Sequence, residues 1–193
     1  NIPFSVIENR PLLRPGFAKE EPVPRLLFYQ GALNRGRGLE TAILAMREMP
    51  NYTLQIAGDG DIKGELEALI RRYHLGNRVE LLGRIPPETL GKYTSRAWLG
   101  LNLLASNSLN YYYSLANKFF DYAQYGIPSI NPAFPEYIRY NSKYGGSLLL
   151  DELSPQRLKA KIFELEDDPN AYKRLVQEAE HMRSNCHWDT QIS

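Results

Sequence analysis

Arg25-Leu-Leu-Phe-Tyr-Gln-Gly-Ala-Leu-Asn-Arg-Gly-Arg-Gly-Leu-Glu-Thr-Ala-Ile-Leu-Ala-Met46 is the stretch whose reading decides the fold. Residues 25–29 are an apolar run closed by turn residues, the pattern of a strand covered on both faces. Gly31 to Gly38 is a turn rich in glycine and arginine. From Gly38 to Met49 the apolar residues Leu39, Ala42, Ile43 and Met46 recur at helical spacing. A strand feeding directly into a helix is half of a parallel crossover unit.

The same alternation continues toward the C-terminus. Tyr52 to Ala57 reads as a strand closed by Gly58-Asp59-Gly60, and Gly64 to Tyr73 as a helix with Leu66, Leu69 and Ile70 on one face. Arg78 to Leu82 is a short strand ending at Gly83. Pro87 to Ser95 is a short helix with proline near its first position, where a missing N–H costs nothing. Trp98 to Leu104 is an apolar strand, Leu115 to Tyr125 a helix, and Pro128 to Ile130 a strand. A short helix around Phe134 to Tyr140 and a strand at Ser147 to Leu150 follow. Ser154 with Pro155 signals the start of a helix running through Glu166. A last helix is expected from Asn170 to Ser184. Residues 1–24, interrupted by Pro3, Pro11, Pro15, Pro22 and Pro24, read as a linker.

Strands alternating with helices imply an α/β fold: a doubly wound parallel sheet whose crossovers are right-handed. Ligands in such folds bind beyond the carboxyl ends of the strands. Three loops are therefore expected at a ligand: Gly31–Gly38, Gly83–Pro86 and Ala105–Ala116.

Composition narrows the function class. The chain of 193 residues is 43% hydrophobic and 23% charged, as an ordinary globular domain is. A net charge of +1 gives no whole-molecule field to attract nucleic acid or a membrane. The single cysteine, Cys186, excludes a disulfide framework within the chain and fits a reducing compartment. No apolar run is long enough to span a bilayer. The histidines His74, His181 and His187 are scattered, and no metal-ligand cluster stands out. The row Tyr111, Tyr112, Tyr113 reads as a packed loop or as a stacking surface.

The loops differ in what they can hold. In the first, glycines allow close backbone approach, a helix start offers free N–H groups, and Arg35 and Arg37 add charge. That combination suits a diphosphate, although a flexible basic turn has the same composition. It is not a nucleotide-binding loop of the Gly-Lys-Ser/Thr type, nor does it carry dinucleotide-fingerprint spacing. In the second, Gly83 and Arg84 can meet a base edge or a phosphate, or form a plain turn. In the third, a helix starting near Ser114 or Leu115 carries Asn117 and Lys118 in its first turn. Asp121 lies one turn deeper. The helix start and Lys118 suit phosphate oxygens, and the Asp121 carboxylate suits a ribose diol. The bland alternatives are a solvated lysine and an acid that favours the helix dipole.

Asn117-Lys-Phe-Phe-Asp-Tyr-Ala-Gln-Tyr-Gly-Ile-Pro128 resembles the Asn-Lys-Leu-Phe-Glu-Tyr-x-x-x-Gly-x-Pro signature of the group 1 glycosyltransferases with the GT-B fold. The Gly31–Gly38 loop, Gly58-Asp59-Gly60, Leu81-Leu-Gly-Arg-Ile-Pro86 and the Asn185–Asp189 stretch resemble further family elements in the same order. The likeness covers about residues 25–190. It implies a Rossmann-like sheet, the C-terminal half of a GT-B fold. Residues 25–185 would bind the donor nucleotide sugar, 1–24 would link to an N-terminal acceptor domain, and 186–193 would begin a crossover back to it. Ser5-Val-Ile-Glu-Asn9 resembles the interdomain segment.

The resemblance implies sugar transfer with retention at the anomeric carbon, by an enzyme whose acceptor half lies outside this chain. The chain would then be an excised or truncated domain that binds nucleotide without turnover. Donor contacts are expected at Gly31, Arg35, Arg37, Gly83, Arg84, Ser114, Leu115, Asn117, Lys118 and Asp121. No catalytic residue is assigned, no metal is expected, and the substrate is a nucleoside-diphosphate sugar rather than a cofactor. No nucleic-acid partner is expected. The full-length protein would be cytoplasmic, associated peripherally with the inner face of the membrane, and would serve polysaccharide synthesis. Three departures stand out. Asp121 is a shorter acid than the family's glutamate, Tyr113 stands where many relatives carry another acid, and Ala32 stands where many carry an arginine. The competing readings are a non-catalytic nucleotide-binding or interaction module, and an enzyme resembling a sugar-nucleotide epimerase.

Overall fold

The computed structural model describes residues 8, 10–13 and 20–191. Most of the expected linker over 1–24, the Ser5–Asn9 stretch apart from Glu8, and the last two residues lie outside the described residues.

Six parallel strands form one sheet in the order β3-β2-β1-β4-β5-β6. They are β1 (Leu26–Gln30), β2 (Thr53–Ala57), β3 (Val79–Gly83), β4 (Leu99–Leu101), β5 (Ser129–Pro132) and β6 (Ser147–Leu150). The expected doubly wound sheet is therefore present. The chain runs outward from β1 through β2 to β3, then returns to the other side of β1 to lay down β4. Loops leaving the neighbouring strands β1 and β4 go opposite ways, and this divergence opens a crevice at the switch point.

The core follows from strand periodicity. In β1, Leu27 and Tyr29 face one layer with α1 (Leu39–Ala45), α2 (Lys63–Arg72) and α7 (Pro155–Asp167). Phe28, on the alternate face, packs with Tyr122, Tyr125 and Ile127 beneath α3 (Pro87–Ser95). Because both faces are covered, every residue of β1 is buried. A third cluster joins α5 (Asn117–Gln124), α6 (Pro135–Tyr144) and α8 (Pro169–Asn185) through Phe119, Phe120, Tyr137, Tyr140 and Met182.

Caps follow the local chemistry. Ser154 Oγ accepts from the Arg157 N–H at 3.3 Å, with Pro155 at the first helical position of α7. Asp168 accepts from Asn170 and Ala171 at the start of α8.

Several expected boundaries change. The first helix stops at Ala45 and tightens into a 3-10 turn over Met46–Glu48. The helix expected to end at Tyr140 continues to Tyr144 and stops at Gly145, whose φ of 71° no longer fits a right-handed helix. The strand expected over 98–104 holds only Leu99–Leu101, because the chain then swings so that the Ala105 N–H reaches the Gly36 carbonyl at 2.9 Å. The helix expected from Ser114 or Leu115 is α5, which begins at Asn117, and the loop expected over Ala105–Ala116 contains a single helical turn, α4 (Leu109–Tyr112). Ser108 caps α4 by accepting from the Tyr111 N–H at 3.1 Å.

Close packing anchors α5 to the sheet. The Tyr122 ring lies on Gly100 of β4, where a Cβ would come within 2.6 Å of it. Its hydroxyl sits between the carbonyls of Phe28 and Leu101, at 3.2 and 3.0 Å. That contact fixes the rotation of α5, and with it the direction of Lys118 and Asp121.

Candidate functional site at the switch point

The crevice beyond β1 and β4 holds a cleft of about 490 Å³. Among the expected donor contacts, Gly31, Arg37, Ser114, Leu115, Asn117, Lys118 and Asp121 line it. Arg35, Gly83 and Arg84 do not. Arg35 turns outward and pairs with Glu65 of α2 at 2.6 Å, both side chains being mostly exposed. Arg84 is exposed and 3.4 Å from Asp59, and the Gly83 carbonyl accepts from the Gly58 N–H. Ser114 and Leu115 reach the cleft from the turn before α5 rather than from its first residues. The Ser114 hydroxyl donates to the Tyr111 carbonyl at 3.1 Å. The Ala116 N–H, at the helix start, is taken by the Tyr137 hydroxyl at 2.9 Å.

Lys118 is 8% exposed and its ammonium lies 3.8 Å above the Tyr29 ring. Burial lowers its pKa to about 7, the nearby charge of Arg37 pushes the same way, and Asp121 offsets part of the shift. The Tyr29 hydroxyl donates to the Ala32 carbonyl at 2.7 Å, which holds the ring under the ammonium. Burial raises the pKa of Tyr29, so the ring stays neutral. Gly31 makes this seat possible, since a Cβ there would lie 3.3 Å from the ammonium and its φ is 134°.

Arg37 lies over the Tyr111 ring, with its guanidinium carbon 5.0 Å from the centroid. Its Nε is buried without a hydrogen-bond partner. The cleft thus brings together two cations that rest on aromatic faces. A buried N–H without a partner and a desolvated ammonium are both costly, and an anion would satisfy both.

The row of tyrosines divides by role. Tyr111 holds Arg37, Tyr112 packs on Phe134 at 5.0 Å, and Tyr113 is 63% exposed with its ring edge-on to Tyr112. Sequence reasoning named the row but could not divide it. It missed Gln30 altogether. Gln30 is 5% exposed at the end of β1, and its amide donates to Asp121 Oδ2 at 2.9 Å. A polar residue closing an otherwise apolar strand was the available signal.

Among the described residues no group of three acidic, histidine or cysteine side chains is arranged to hold a metal, and no helix is long and apolar enough to cross a membrane.

The fold has counterparts in known proteins. The model of the family described as glycosyl transferases group 1 matches residues 14–182. The HepE protein of Anabaena, solved with UDP and glucose, shares 17% identity over 87% of this chain and 46% of its own, with a TM-score of 0.73. Sucrose-phosphate synthase from Thermosynechococcus elongatus shares 24% identity over 90% of this chain and 43% of its own, with a TM-score of 0.72. The C-terminal domain of the group 1 protein LpcC from Francisella tularensis shares 14% identity, with coverage of 85% and 87% and a TM-score of 0.67. The chain therefore spans a little under half the length of the first two. The comparison with curated proteins returned no match. With the family model covering most of the chain and the same parallel fold in GT-B enzymes, this chain belongs to the group 1 glycosyltransferases.

Proposed function

We propose that this chain is the donor-binding domain of a retaining glycosyltransferase that takes a nucleoside-diphosphate sugar. In this reading the diphosphate lies between Arg37, Lys118 and the first turn of α5, against the bare backbone of Gly31. The ribose lies on Asp121. Gly83 and Arg84 stay outside the cleft and would meet only the base end of the ligand, and Arg35 would act at long range.

The observation that carries the reading is the convergence of two cations, a glycine and a helix start in one cleft, with an acid one turn deeper. When the sugar departs, charge develops on the diphosphate oxygens. Fixed cations in a partly dry site stabilise that charge without reorganising, which lowers the barrier. That HepE was solved with UDP in a protein of the same fold is consistent with this reading.

Two domains follow from it. Residues 25–185 would hold the donor. The segment before them and the stretch from 186 would lead to and from a second domain that binds the acceptor. The isolated chain would then bind nucleotide without transferring sugar.

The test is calorimetric titration of the chain with UDP, GDP and ADP. At least one should bind, and Lys118→Met and Asp121→Ala should each weaken it by about tenfold or more, the value of a hydrogen bond to a charged group. No binding of any of the three at millimolar concentration would sink the proposal.

A further inference from the structure

The turn α4 is too short to be stable as a helix by itself, and none of its residues is buried. It is nevertheless pinned on both sides of one residue, Tyr111. The Ser108 hydroxyl accepts from the Tyr111 N–H at 3.1 Å, and the Ser114 hydroxyl donates to the Tyr111 carbonyl at 3.1 Å. The ring is fitted as closely as the backbone. It lies against Gly36, whose φ is 81° and where a Cβ would come within 2.9 Å of the ring edge. The Ala105 N–H on the Gly36 carbonyl, at 2.9 Å, ties the two loops together.

The residue after Gly36 is Arg37, and its guanidinium carbon lies over that ring, 5.0 Å from the centroid. Among the described residues the Arg37 side chain enters no ion pair, and its Nε is buried without a hydrogen-bond partner. Arg35, two residues earlier, shows the alternative. The Glu65 carboxylate takes its guanidinium at 2.6 Å and draws it out of the cleft. A carboxylate cancels the charge it binds and occupies N–H donors of the guanidinium fork. A ring face attracts a cation through its quadrupole, adds no net charge and leaves those donors open.

We infer that Tyr111 is the positioning residue that holds the Arg37 guanidinium at the cleft, its ring face standing in for a carboxylate so that the cation keeps its charge and its donors for the diphosphate of a bound nucleotide. The inference rests on the donor-site reading above. It gives α4 a purpose: the turn, capped by Ser108, seats one ring beneath one cation. It also gives Ser114 a part different from a donor contact, since the Ser114 hydroxyl holds the Tyr111 backbone.

Tyr111 itself lines the cleft, so its effect through Arg37 must be separated from any contact of its own with the ligand. The experiment titrates the chain with UDP, GDP and ADP and with the matching monophosphates, and reads the diphosphate preference, the ratio of the two affinities. Tyr111→Leu removes the ring face and Tyr111→Phe keeps it. Each is made in the native chain and together with Arg37→Met. For whichever nucleotide binds, Tyr111→Leu should lower the preference by about threefold to tenfold, the range of a partly desolvated cation–ring contact. Tyr111→Phe should keep the preference. Beside Arg37→Met, Tyr111→Leu should change nothing further. Ser108→Ala, at a residue outside the cleft lining, should lose a smaller part of the preference, and again only while Arg37 is present.

An unchanged preference in Tyr111→Leu overturns the inference and leaves the donor site standing. So does an equal loss with and without Arg37, since Tyr111 would then act on the ligand or on the fold directly. An equal loss in Tyr111→Phe and Tyr111→Leu also overturns it, because the hydroxyl and not the ring face would be at work. Absence of binding by the native chain overturns the donor-site reading itself. Should Tyr111→Leu fail to fold, Ser108→Ala with and without Arg37→Met carries the test, and the same effect in both, or none in either, overturns the inference.

Discussion

The buried ammonium of Lys118 makes stability rise with pH, and the size of the effect follows from its environment. Its pKa is about 7 in the folded chain against an ordinary 10.5. Below pH 7 the group is charged in both states and the folded chain bears the whole cost of burying it. Between pH 7 and 10.5 the unfolded chain holds a proton that the folded chain has released, so alkali favours folding. One pKa unit corresponds to about 1.36 kcal/mol, so the full span is on the order of 4–5 kcal/mol. Between pH 6 and pH 9 the linkage relation leaves about 2–3 kcal/mol of that span.

Other groups titrate over the same range, so the quantity to read is the difference between the native chain and Lys118→Met. At pH 6 the variant should be the more stable, because it removes the charge and keeps most of the volume. Its advantage should shrink by about 2–3 kcal/mol at pH 9, a relative change in Tm of roughly 5–10 °C for a domain of this size. Thermal melts of both proteins at half-unit intervals of pH supply the curve. A pH-independent difference would refute the claim that Lys118 is desolvated. The same group should couple to ligand. A bound diphosphate adds negative charge beside the ammonium, so at pH 8 nucleotide binding should take up a proton. Calorimetry in two buffers of unlike ionisation heat reads that uptake. A terminal phosphate is itself ionised at pH 8, since its second pKa is near ~6, so uptake that persists in Lys118→Met would count against the reasoning.

Three more outcomes are expected. Arg37→Met should weaken nucleoside-diphosphate binding by about tenfold or more, whereas Arg35→Met, which loses only an exposed pairing with Glu65, should leave the Kd unchanged by calorimetry. Gly100→Ala places a methyl within 2.6 Å of the Tyr122 ring, and denaturant unfolding should show a loss of about 1–3 kcal/mol from overpacking. Tyr137→Phe removes the acceptor of the Ala116 N–H at the start of α5 and should cost about 1–3 kcal/mol in the same assay, for the unpaired donor it leaves.

Much of the fold was legible because its signals are local. The run Leu26–Gln30, the helical spacing after Gly38 and the proline and serine at helix starts are properties of neighbours in the chain, and they placed all six strands. Boundaries were less legible where tertiary contacts override propensity. The strand at β4 ends early because its continuation is drawn to the Gly36 carbonyl, and no pattern within 98–104 encodes that pull. The turn of α4 was missed because its cap, Ser108, closes only a single helical turn.

The site shows the same division more sharply. By itself the sequence determined the candidate residue types. It supplied a glycine-rich basic turn after the first strand, a lysine at a helix start and an acid one turn further on, because each is read from spacing along one segment. Only the tertiary structure decided which of the two arginines enters the cleft. Arg35 and Arg37 sit two apart in one turn, yet one is drawn to Glu65 and the other to Tyr111, partners about 30 and 70 residues away in the chain. Packing alone also shifted the lysine's pKa, since burial and the approach of Arg37 come from separate elements. Gln30, Thr94 and Asp121 meet because β1, α3 and α5 converge at one rim of the sheet, and a contact between segments 64 and 91 residues apart leaves no trace in the spacing of any of them.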